Sequence, residues 1–288
     1  MRRHILFILL LISTSASTQV LYKVSGNNAK APSYIFATNK IVGIEFLDSV
    51  PQLLHCFSQC TVVLTEFAIQ DYEALATLRV AALLPDSIRL DRYYPAEEYK
   101  QIDEAMQLTV GMGLDKLCRM KPSYLTALYR DELLHKWLGY DDQRSMTAFF
   151  QAFASDKGIP VQAIDDLGET MYMLFDREPF HWQCKELLQI IDYPEREVNQ
   201  ERSLADMYRM GRLTDIAYQI LSPDNQSTQS YSDYQIYAAR NKEWVKRLRP
   251  YLLDGKAFIT LDAVYLGGEK GLLEQLRAAG YRVKSVNR

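Results

Sequence analysis

The chain has 288 residues, of which 48% are hydrophobic, and 33 Lys and Arg face 36 Asp and Glu for a formal net charge of -3. A sequence of this length and composition can bury a hydrophobic core, which excludes a disordered tail and a collagen-like fibre. No clustered basic segment is visible, and since phosphate neutralisation requires one, we expect no nucleic-acid partner.

The amino terminus has the order of residues found in secretory signal peptides. Arg2 and Arg3 precede an apolar run at 5–12 and a small polar stretch at 13–18. The apolar run is shorter than the ~20 residues that a transmembrane helix needs. We therefore expect residues 1–18 to be a cleaved signal peptide and residues 19–288 to form a single exported domain, periplasmic or secreted. Contact with a membrane would then arise only through an uncleaved signal segment.

The first half of the mature chain begins with strands and continues with helices. Two short apolar runs, 20–24 and 34–38, flank a turn-rich segment and predict a hairpin. Helical spacing at 47–57 is followed by a β-branched run at 61–65, which predicts a buried strand. From residue 71 to residue 153 the pattern is mostly helical, with breaks at proline and glycine.

The second half has a similar order. A strand is predicted at 159–164, and helices occupy most of the chain between 169 and 252. The last segment predicts a strand at 257–261, a helix at 272–279 and a strand at 281–286. Because strands lie at both ends and in the middle, we predict one α/β domain with a central mixed sheet built from distant segments, surrounded and capped by helices.

The four cysteines, Cys56, Cys60, Cys118 and Cys184, leave two interpretations open. Export permits disulfide bonds, but four cysteines allow three pairings, and the sequence does not choose among them. We favour buried free thiols, because free cysteine is among the most buried residue types.

The sequence lacks the usual signatures of several reaction classes, namely the G-x-S-x-G elbow, the P-loop, the dinucleotide glycine fingerprint and the H-E-x-x-H helix. The glycine-rich segment 267–271 lacks the P-loop spacing. We interpret it as a structural turn in preference to an anion site, because strand-to-helix turns normally use glycine. With only four histidines in the chain, a metal or acid–base site must use these or carboxylates.

Polar side chains directly follow four of the predicted strands, and these are Asn39 with Lys40, Glu66, Asp165 and Asp262. In open α/β sheets, ligands gather beyond the carboxyl ends of the strands, so these residues are candidates for one site. Carboxylates with a lysine can bind a hard cation, perform acid–base chemistry or form an ion-pair network. From the residues alone, the structural network is favoured.

Short segments along nearly the whole mature chain match one known family in order and spacing. They are LYKVSG at 21–26, PSYIFAT at 32–38, VVLTE at 62–66, GLD at 113–115, MKP at 120–122, PVQAID at 160–165, ARNKEW at 239–244, LGGEKGLL at 266–273 and GYRV at 280–283. In these segments the chain resembles the TraB/GumN family, which includes the Tiki metalloproteases. The resemblance implies an erythromycin-esterase/ChaN-like α/β fold with a metal-dependent site made from two Gly-x-x-His motifs and glutamates.

The sequence departs from that family at both histidine positions. Lys40 ends the segment that should read Gly-x-x-His, and Tyr265 ends the second such segment. A lysine ammonium has no lone pair to donate and carries a positive charge, so it repels a divalent cation. A tyrosine binds metal as the phenolate, which is costly because the ordinary pKa is about 10.

The other positions that the resemblance assigns are partly retained. Glu66 and the pair Arg240 and Asn241 match the family, whereas Asp165 stands in place of a glutamate and Arg212 in place of an acidic residue. This pattern suggests that the fold and the pocket persist without the metal ligands.

We therefore interpret the chain as an exported, non-catalytic member of the family that acts by binding or interaction. It would bind an unidentified peptide, protein or envelope component through Lys40, Asn39, Arg240 and Asn241, with no metal and no cofactor. We further hypothesise that Lys40 replaces the metal electrostatically by pairing with Glu66 or Asp262.

Two other interpretations stay open. One is a hydrolase or peptidase of the Tiki type, in which Glu66, Asp165 and Asp262 recruit a divalent metal such as Mn²⁺ or Co²⁺, or in which the same residues with Tyr265 perform metal-free acid–base catalysis. The other is a carbohydrate or surface-polymer binder, which would need an exposed cluster drawn from the 19 Tyr and 3 Trp.

Overall fold

A six-stranded mixed sheet lies at the centre of a computed structural model that describes residues 19–68, 71–221 and 228–286. The predicted signal peptide at 1–18 lies outside the described residues. The strands are β1 (Leu21–Ser25), β2 (Ser33–Thr38), β3 (Val62–Thr65), β4 (Val161–Ala163), β5 (Ala257–Asp262) and β6 (Arg282–Ser285).

The strand order in the sheet is β4-β3-β5-β2-β1-β6. The strands β4, β3, β5 and β2 are parallel, and β1 pairs antiparallel with both β2 and β6. The prediction of a mixed sheet built from distant segments is confirmed, and so is the hairpin of β1 and β2. As a consequence, the four parallel strands end at the same edge of the sheet.

The local sequence explains the strands at the centre of this sheet. Every residue of β2 is buried, and so is every residue of β5 except the last, Asp262, which is half-buried. Strands that are covered on both faces read as continuous apolar runs, which is the pattern of these two segments. In the hairpin turn, Gly26, Asn27 and Asn28 have positive φ angles of 83°, 51° and 63°, a conformation that glycine and asparagine tolerate better than other residues.

The α-helices of the described residues surround this sheet. They are α1 (Leu53–Ser58), α2 (Tyr72–Ala81), α3 (Leu90–Tyr93), α4 (Ala96–Thr109), α5 (Leu114–Leu117), α6 (Pro122–Leu138), α7 (Met146–Asp156), α8 (Leu167–Met171), α9 (Phe180–Asp192), α10 (Pro194–Arg209), α11 (Leu213–Leu221), α12 (Thr228–Asp254) and α13 (Leu272–Ala278). A π-helical turn, Tyr172–Asp176, directly follows α8.

The helix predicted at 47–57 is divided in the structure. A 3₁₀ turn at Ile44–Ser49 precedes α1, and Pro51 lies between them. Proline has no backbone N–H to donate and disfavours the helical conformation of the residue before it, here Val50. The prediction of one continuous helix is therefore wrong at this point.

The described residues form two hydrophobic clusters. The larger one packs on the sheet, where Phe150 of α7 lies 5.3 Å from Phe36, 5.8 Å from Phe57 and 4.9 Å from Phe258 between ring centroids. The second is formed among helices α3 to α6, α9 and the start of α10, which we call the helical cap. Since the helical cap has its own core, it packs against the sheet and the helices that cover it as a separate unit.

All four cysteines have free thiols, three of which are buried, and burial raises the pKa of Cys60 to about 12.

Among the described residues, no helix combines the length and apolar character needed to cross a bilayer.

The packing of the sheet core leads to a first prediction. Leu64 in β3 is 1% exposed and Leu108 in α4 is 86% exposed. We expect Leu64→Ala to lower the free energy of unfolding by about 2–5 kcal/mol, because the truncation loses apolar burial and leaves a cavity. The matched control, Leu108→Ala, should change it by less than ~0.5 kcal/mol. Urea unfolding followed by circular dichroism measures both, and equal effects would contradict the assigned burial.

Candidate functional site

The ends of the parallel strands bring together residues that are far apart in the chain. Asn39 and Lys40 follow β2, Glu66 follows β3, Asp165 lies two residues after β4, and Asp262 ends β5. The backbone N–H of Asp262 donates to Oε1 of Glu66 at 3.0 Å, across 196 residues of sequence. The convergence proposed from the strand-end pattern is therefore present in the structure.

Arg240 of α12 lies at the centre of this group. Its Nε donates to Oδ2 of Asp165 at 3.0 Å, its Nη2 is 3.4 Å from Oε2 of Glu66, and its Nη1 donates to the hydroxyl of Tyr265. The side chain is only 12% exposed. Burial disfavours its charge, but Tyr265, Glu66 and Asp165 outweigh this effect and raise the pKa of Arg240. The site therefore contains its own permanent cation.

Asp165 is held by one face of α12. Its side chain is 1% exposed and accepts hydrogen bonds from Arg240 and from Nε1 of Trp244, while Nη1 of Arg247 lies 4.0 Å from Oδ1. Positions 240, 244 and 247 are spaced by four and three residues, so they project from the same side of a helix. A buried carboxylate needs such partners because its desolvation is otherwise uncompensated.

Aromatic rings enclose the Arg240 guanidinium. Its central carbon lies 4.6 Å from the ring centroid of Trp244 and 4.7 Å from that of Tyr265. Tyr265 in turn stacks on Tyr237, with 4.7 Å between the ring centroids. Burial raises the pKa of Tyr265 well above its ordinary value, so the phenol stays neutral and accepts from Arg240.

The two carboxyl groups nearest the strand ends are easier to protonate than ordinary ones. Burial raises the pKa of Asp262 to about 7, in spite of the hydrogen bond that Oδ1 accepts from the N–H of Val264 at 2.9 Å. Glu66 and Glu201 add to the increase, whereas Lys40 opposes it. Burial also raises the pKa of Glu66, and Arg240 partly counteracts this shift. With a pKa of about 7, Asp262 can exchange protons near neutral pH.

Lys40 has a different partner from the one predicted. Its ammonium pairs with Asp131 of α6 and lies 5.3 Å from the ring centroid of Tyr140. The hypothesis that Lys40 pairs with Glu66 or Asp262 is therefore wrong, because the side chain extends toward the helical cap and Arg240 pairs with Glu66 instead. Lys40 acts on Asp262 only through space, by lowering its pKa.

The two asparagine candidates have backbone partners. Oδ1 of Asn39 accepts from the N–H groups of Ile41 at 3.1 Å and Val42 at 3.2 Å, which shapes the turn after β2. Nδ2 of Asn241 donates to the carbonyls of Tyr265 at 2.9 Å and Lys270 at 3.0 Å. Both side chains therefore position the loops that carry Lys40 and Tyr265.

A cavity of about 420 Å³, which we call the edge cavity, separates the sheet edge from the helical cap. The sheet side contributes Glu66, Arg240 and Tyr265. The other lining residues are Phe67, Leu78, Ser123, Thr126, Ala127, Arg130, Thr170, Met173, Leu174, Phe175, Arg177, Glu178, Gln183, Glu186 and Tyr237. Three arginines and three glutamates are among these lining residues, so the cavity presents both signs of charge.

The wall opposite the sheet edge contains features that the strand-end pattern did not predict. Arg130 pairs with Glu197 and lies 3.5 Å from Glu186, and the hydroxyl of Thr126 is buried without a hydrogen-bond partner among the described residues. The π-helical turn supplies the carbonyl of Phe175, which accepts from Nε2 of Gln183 at 2.8 Å. Such turns are frequent at functional sites.

The residues at the sheet edge fit a divalent cation poorly. The Arg240 guanidinium contacts both Glu66 and Asp165, the carboxylates that such a cation would need. Within the described part of the chain, no group of three or more His, Cys, Asp or Glu is arranged to hold a metal ion. The donor set therefore differs from that of a metal centre because a protein cation already neutralises it.

Comparison with known proteins gave one match. The profile of the TraB/PrgY/gumN family matches residues 20–285, which is nearly the whole chain. Searches of the curated proteins and of the solved structures each gave no match.

The buried pair of Arg240 and Asp165 leads to a second prediction. We expect Arg240→Gln to lower the free energy of unfolding by about 3–5 kcal/mol, because it leaves the buried carboxylate of Asp165 without its cation. The double variant Arg240→Gln with Asp165→Asn should recover part of this loss. Chemical unfolding measures both variants.

The matched control for this experiment is Arg212→Gln. Arg212 pairs with Asp215 on the surface, where the two side chains are 53% and 44% exposed. This control should cost less than ~1 kcal/mol. A double variant that is less stable than Arg240→Gln alone would contradict the assigned pairing.

The raised pKa of Asp262 leads to a third prediction. Asp262 titrates at about 7 in the folded chain, whereas an unfolded aspartate titrates at about 3.9. Between these values the folded state holds a proton that the unfolded state has lost, so Asp262 lowers stability progressively as the pH rises from ~4 to ~7. The stability of Asp262→Asn relative to wild type should therefore rise over this window by an amount on the order of 2–4 kcal/mol.

Urea unfolding at a series of pH values tests this prediction. Asp156→Asn, at an exposed position, is the control and should give a profile parallel to that of wild type. Parallel profiles for wild type and Asp262→Asn would contradict the assignment.

Proposed function

Because the chain belongs to the TraB/PrgY/gumN family, we propose that it is an exported, non-catalytic member that acts by binding a ligand in the edge cavity. The edge cavity lies at the carboxyl ends of the parallel strands, where open α/β sheets bind their ligands. Export, to the periplasm or out of the cell, rests on the signal-like order of residues 1–18.

The observation that carries the proposal is the position of Arg240. Its guanidinium contacts Glu66, Asp165 and Tyr265, three of the four residues that the sequence marks as catalytic candidates. A guanidinium remains protonated at all physiological pH values and cannot generate a nucleophilic hydroxide as a metal ion does. Lys40, which lies where the family resemblance expects a histidine, adds a second positive charge near Asp262.

The chemistry of the edge cavity favours a peptide, a protein segment or an envelope component with mixed charges as the ligand. Arginine and glutamate side chains line it together with apolar residues such as Phe67, Leu78 and Leu174. A ligand that carries both signs of charge and apolar groups can match this lining, whereas a simple anion or cation meets as many repulsive as attractive groups.

The competing candidate is a hydrolase, and one observation favours it. The pKa values of Glu66 and Asp262 are both raised by burial, and perturbed carboxyl groups are typical of acid–base sites. In that case Glu66 would be essential for turnover, either as a proton acceptor or as a ligand of an added metal ion.

One experiment with a peptide mixture distinguishes the binding function from the hydrolase function, and our fourth prediction concerns its result. Purified protein is incubated with random-sequence peptides and added Mn²⁺ or Co²⁺, and the products are analysed by mass spectrometry. We expect no cleavage and less than stoichiometric metal, because Arg240 neutralises the carboxylates. We expect the immobilised protein to retain a subset of the same peptides.

Two leucine substitutions at alanine positions test where the peptides bind. Ala127 lines the edge cavity and Ala238 does not, so Ala127→Leu should weaken retention of the selected peptides by about tenfold, whereas Ala238→Leu should leave it unchanged. Stoichiometric metal together with cleavage that Glu66→Gln abolishes would overturn the non-catalytic assignment. Retention that is insensitive to Ala127→Leu would overturn the assignment of the edge cavity.

A further inference from the structure

A second cavity, of about 450 Å³, lies between α11, α12 and the glycine-rich segment 267–271. Tyr218, Tyr234 and Tyr237 are the aromatic residues among the described ones that line it, and we call it the tyrosine cavity. Its remaining lining residues are Thr214, Ala217, Leu221, Ala238, Asn241, Val264, Gly267, Gly268, Glu269, Lys270 and Gly271. Cavities of this size with mainly apolar walls and few polar groups are typical of small-molecule sites.

The glycine-rich segment forms a wall made of backbone. A Cβ atom on Gly267 would lie 2.2 Å from the carbonyl oxygen of Leu213, and one on Gly271 would lie 2.2 Å from the carbonyl oxygen of Gly267. Gly268 has a φ of +81°, which other residues rarely adopt. Glycine is required here by close packing, which agrees with the interpretation of this segment as a structural turn. The turn keeps side chains out of the cavity and so preserves its volume.

Asn241 provides a buried hydrogen-bond acceptor in the wall of this cavity. The residue is 2% exposed, and its Nδ2 donates to the carbonyls of Tyr265 and Lys270. Because carbonyl oxygens only accept hydrogen bonds, the atom that faces both of them must be the amide nitrogen. These two bonds therefore assign the positions of Nδ2 and Oδ1. Its Oδ1 is buried and has no hydrogen-bond partner among the described residues. A buried acceptor of this kind requires a donor, and the described residues around it do not supply one.

The charges around the cavity indicate a neutral ligand. Among the described residues that line it, Glu269 and Lys270 are the charged ones, they carry opposite signs, and both are exposed at the surface. Three of these described lining residues are tyrosines, and aromatic side chains stack well on planar groups. A ligand that matches these walls is therefore planar, uncharged and largely apolar.

We propose that the tyrosine cavity binds a small, neutral, planar aromatic molecule that donates an N–H or O–H hydrogen bond to Oδ1 of Asn241. This inference goes beyond the proposed function, because it concerns a different cavity and a different class of ligand. The two cavities share one wall, since Tyr237 lines both and stacks on Tyr265.

The probe for this proposal is N-phenyl-1-naphthylamine, which is neutral and aromatic, contains one N–H and becomes fluorescent in apolar surroundings. Titration of the full chain should give saturable fluorescence. Ala238→Leu should weaken binding by at least about tenfold, because the added side chain fills the cavity. The matched substitution in the edge cavity, Ala127→Leu, should leave the affinity unchanged. Circular dichroism and the melting temperature report whether each variant is folded.

The hydrogen bond to Asn241 is tested without changing the protein. In 1-phenoxynaphthalene an ether oxygen replaces the N–H of the probe while the shape is nearly preserved. It should displace the probe with an inhibition constant about tenfold higher than the dissociation constant of the probe itself, because it leaves Oδ1 unpaired.

Three results would overturn the proposal. The first is the absence of saturable binding to the wild-type chain. The second is binding that Ala127→Leu weakens and Ala238→Leu does not, which would place the probe in the edge cavity. The third is equal affinity for the amine and the ether, which would exclude the assigned role of Asn241.

Discussion

The ion pair between Arg240 and the buried carboxylate of Asp165 is the interaction on which the rest of the site depends. A carboxylate that is 1% exposed is tolerated only where other groups compensate its lost hydration. Arg240 and Trp244 provide that compensation from one face of α12, and this fixes the helix against the end of β4. The same guanidinium then reaches Glu66 and Tyr265, so one buried charge orders the groups around the sheet edge.

The position of the site follows from how two hydrophobic cores meet. The sheet and the helical cap each have their own core, and polar groups are therefore concentrated along the boundary between them. The edge cavity lies on this boundary, with Glu66 on the sheet side and Arg130 on the cap side. The side chain of Lys40 crosses the boundary and pairs with Asp131 of α6. This ion pair links the end of β2 to the helical cap. Ligand binding at such a boundary can use groups from both units without disturbing either core.

The electrostatics of the site distinguish it from a metal centre. A metal ion would supply a concentrated positive charge and activate water, whereas Arg240 supplies a delocalised charge and hydrogen bonds in fixed directions. Burial nevertheless raises the pKa values of Glu66 and Asp262 at this site. Tyr237 lies between this site and the tyrosine cavity, and its stacking on Tyr265 joins their walls.

The sequence by itself determined the strands and the residues at their ends. Apolar runs such as 34–38 and 257–261 predicted β2 and β5, and the polar residue after each strand predicted Glu66, Asp165 and Asp262 at one edge, because both signals are local. The partner of Lys40, the central place of Arg240 and the contribution of Arg130 were decided only by the tertiary structure. Asp165 and Arg240 are 75 residues apart, and Lys40 and Asp131 are 91 apart. Which side chains meet across such distances depends on how α12 and the cap pack on the sheet, and no local pattern encodes that packing.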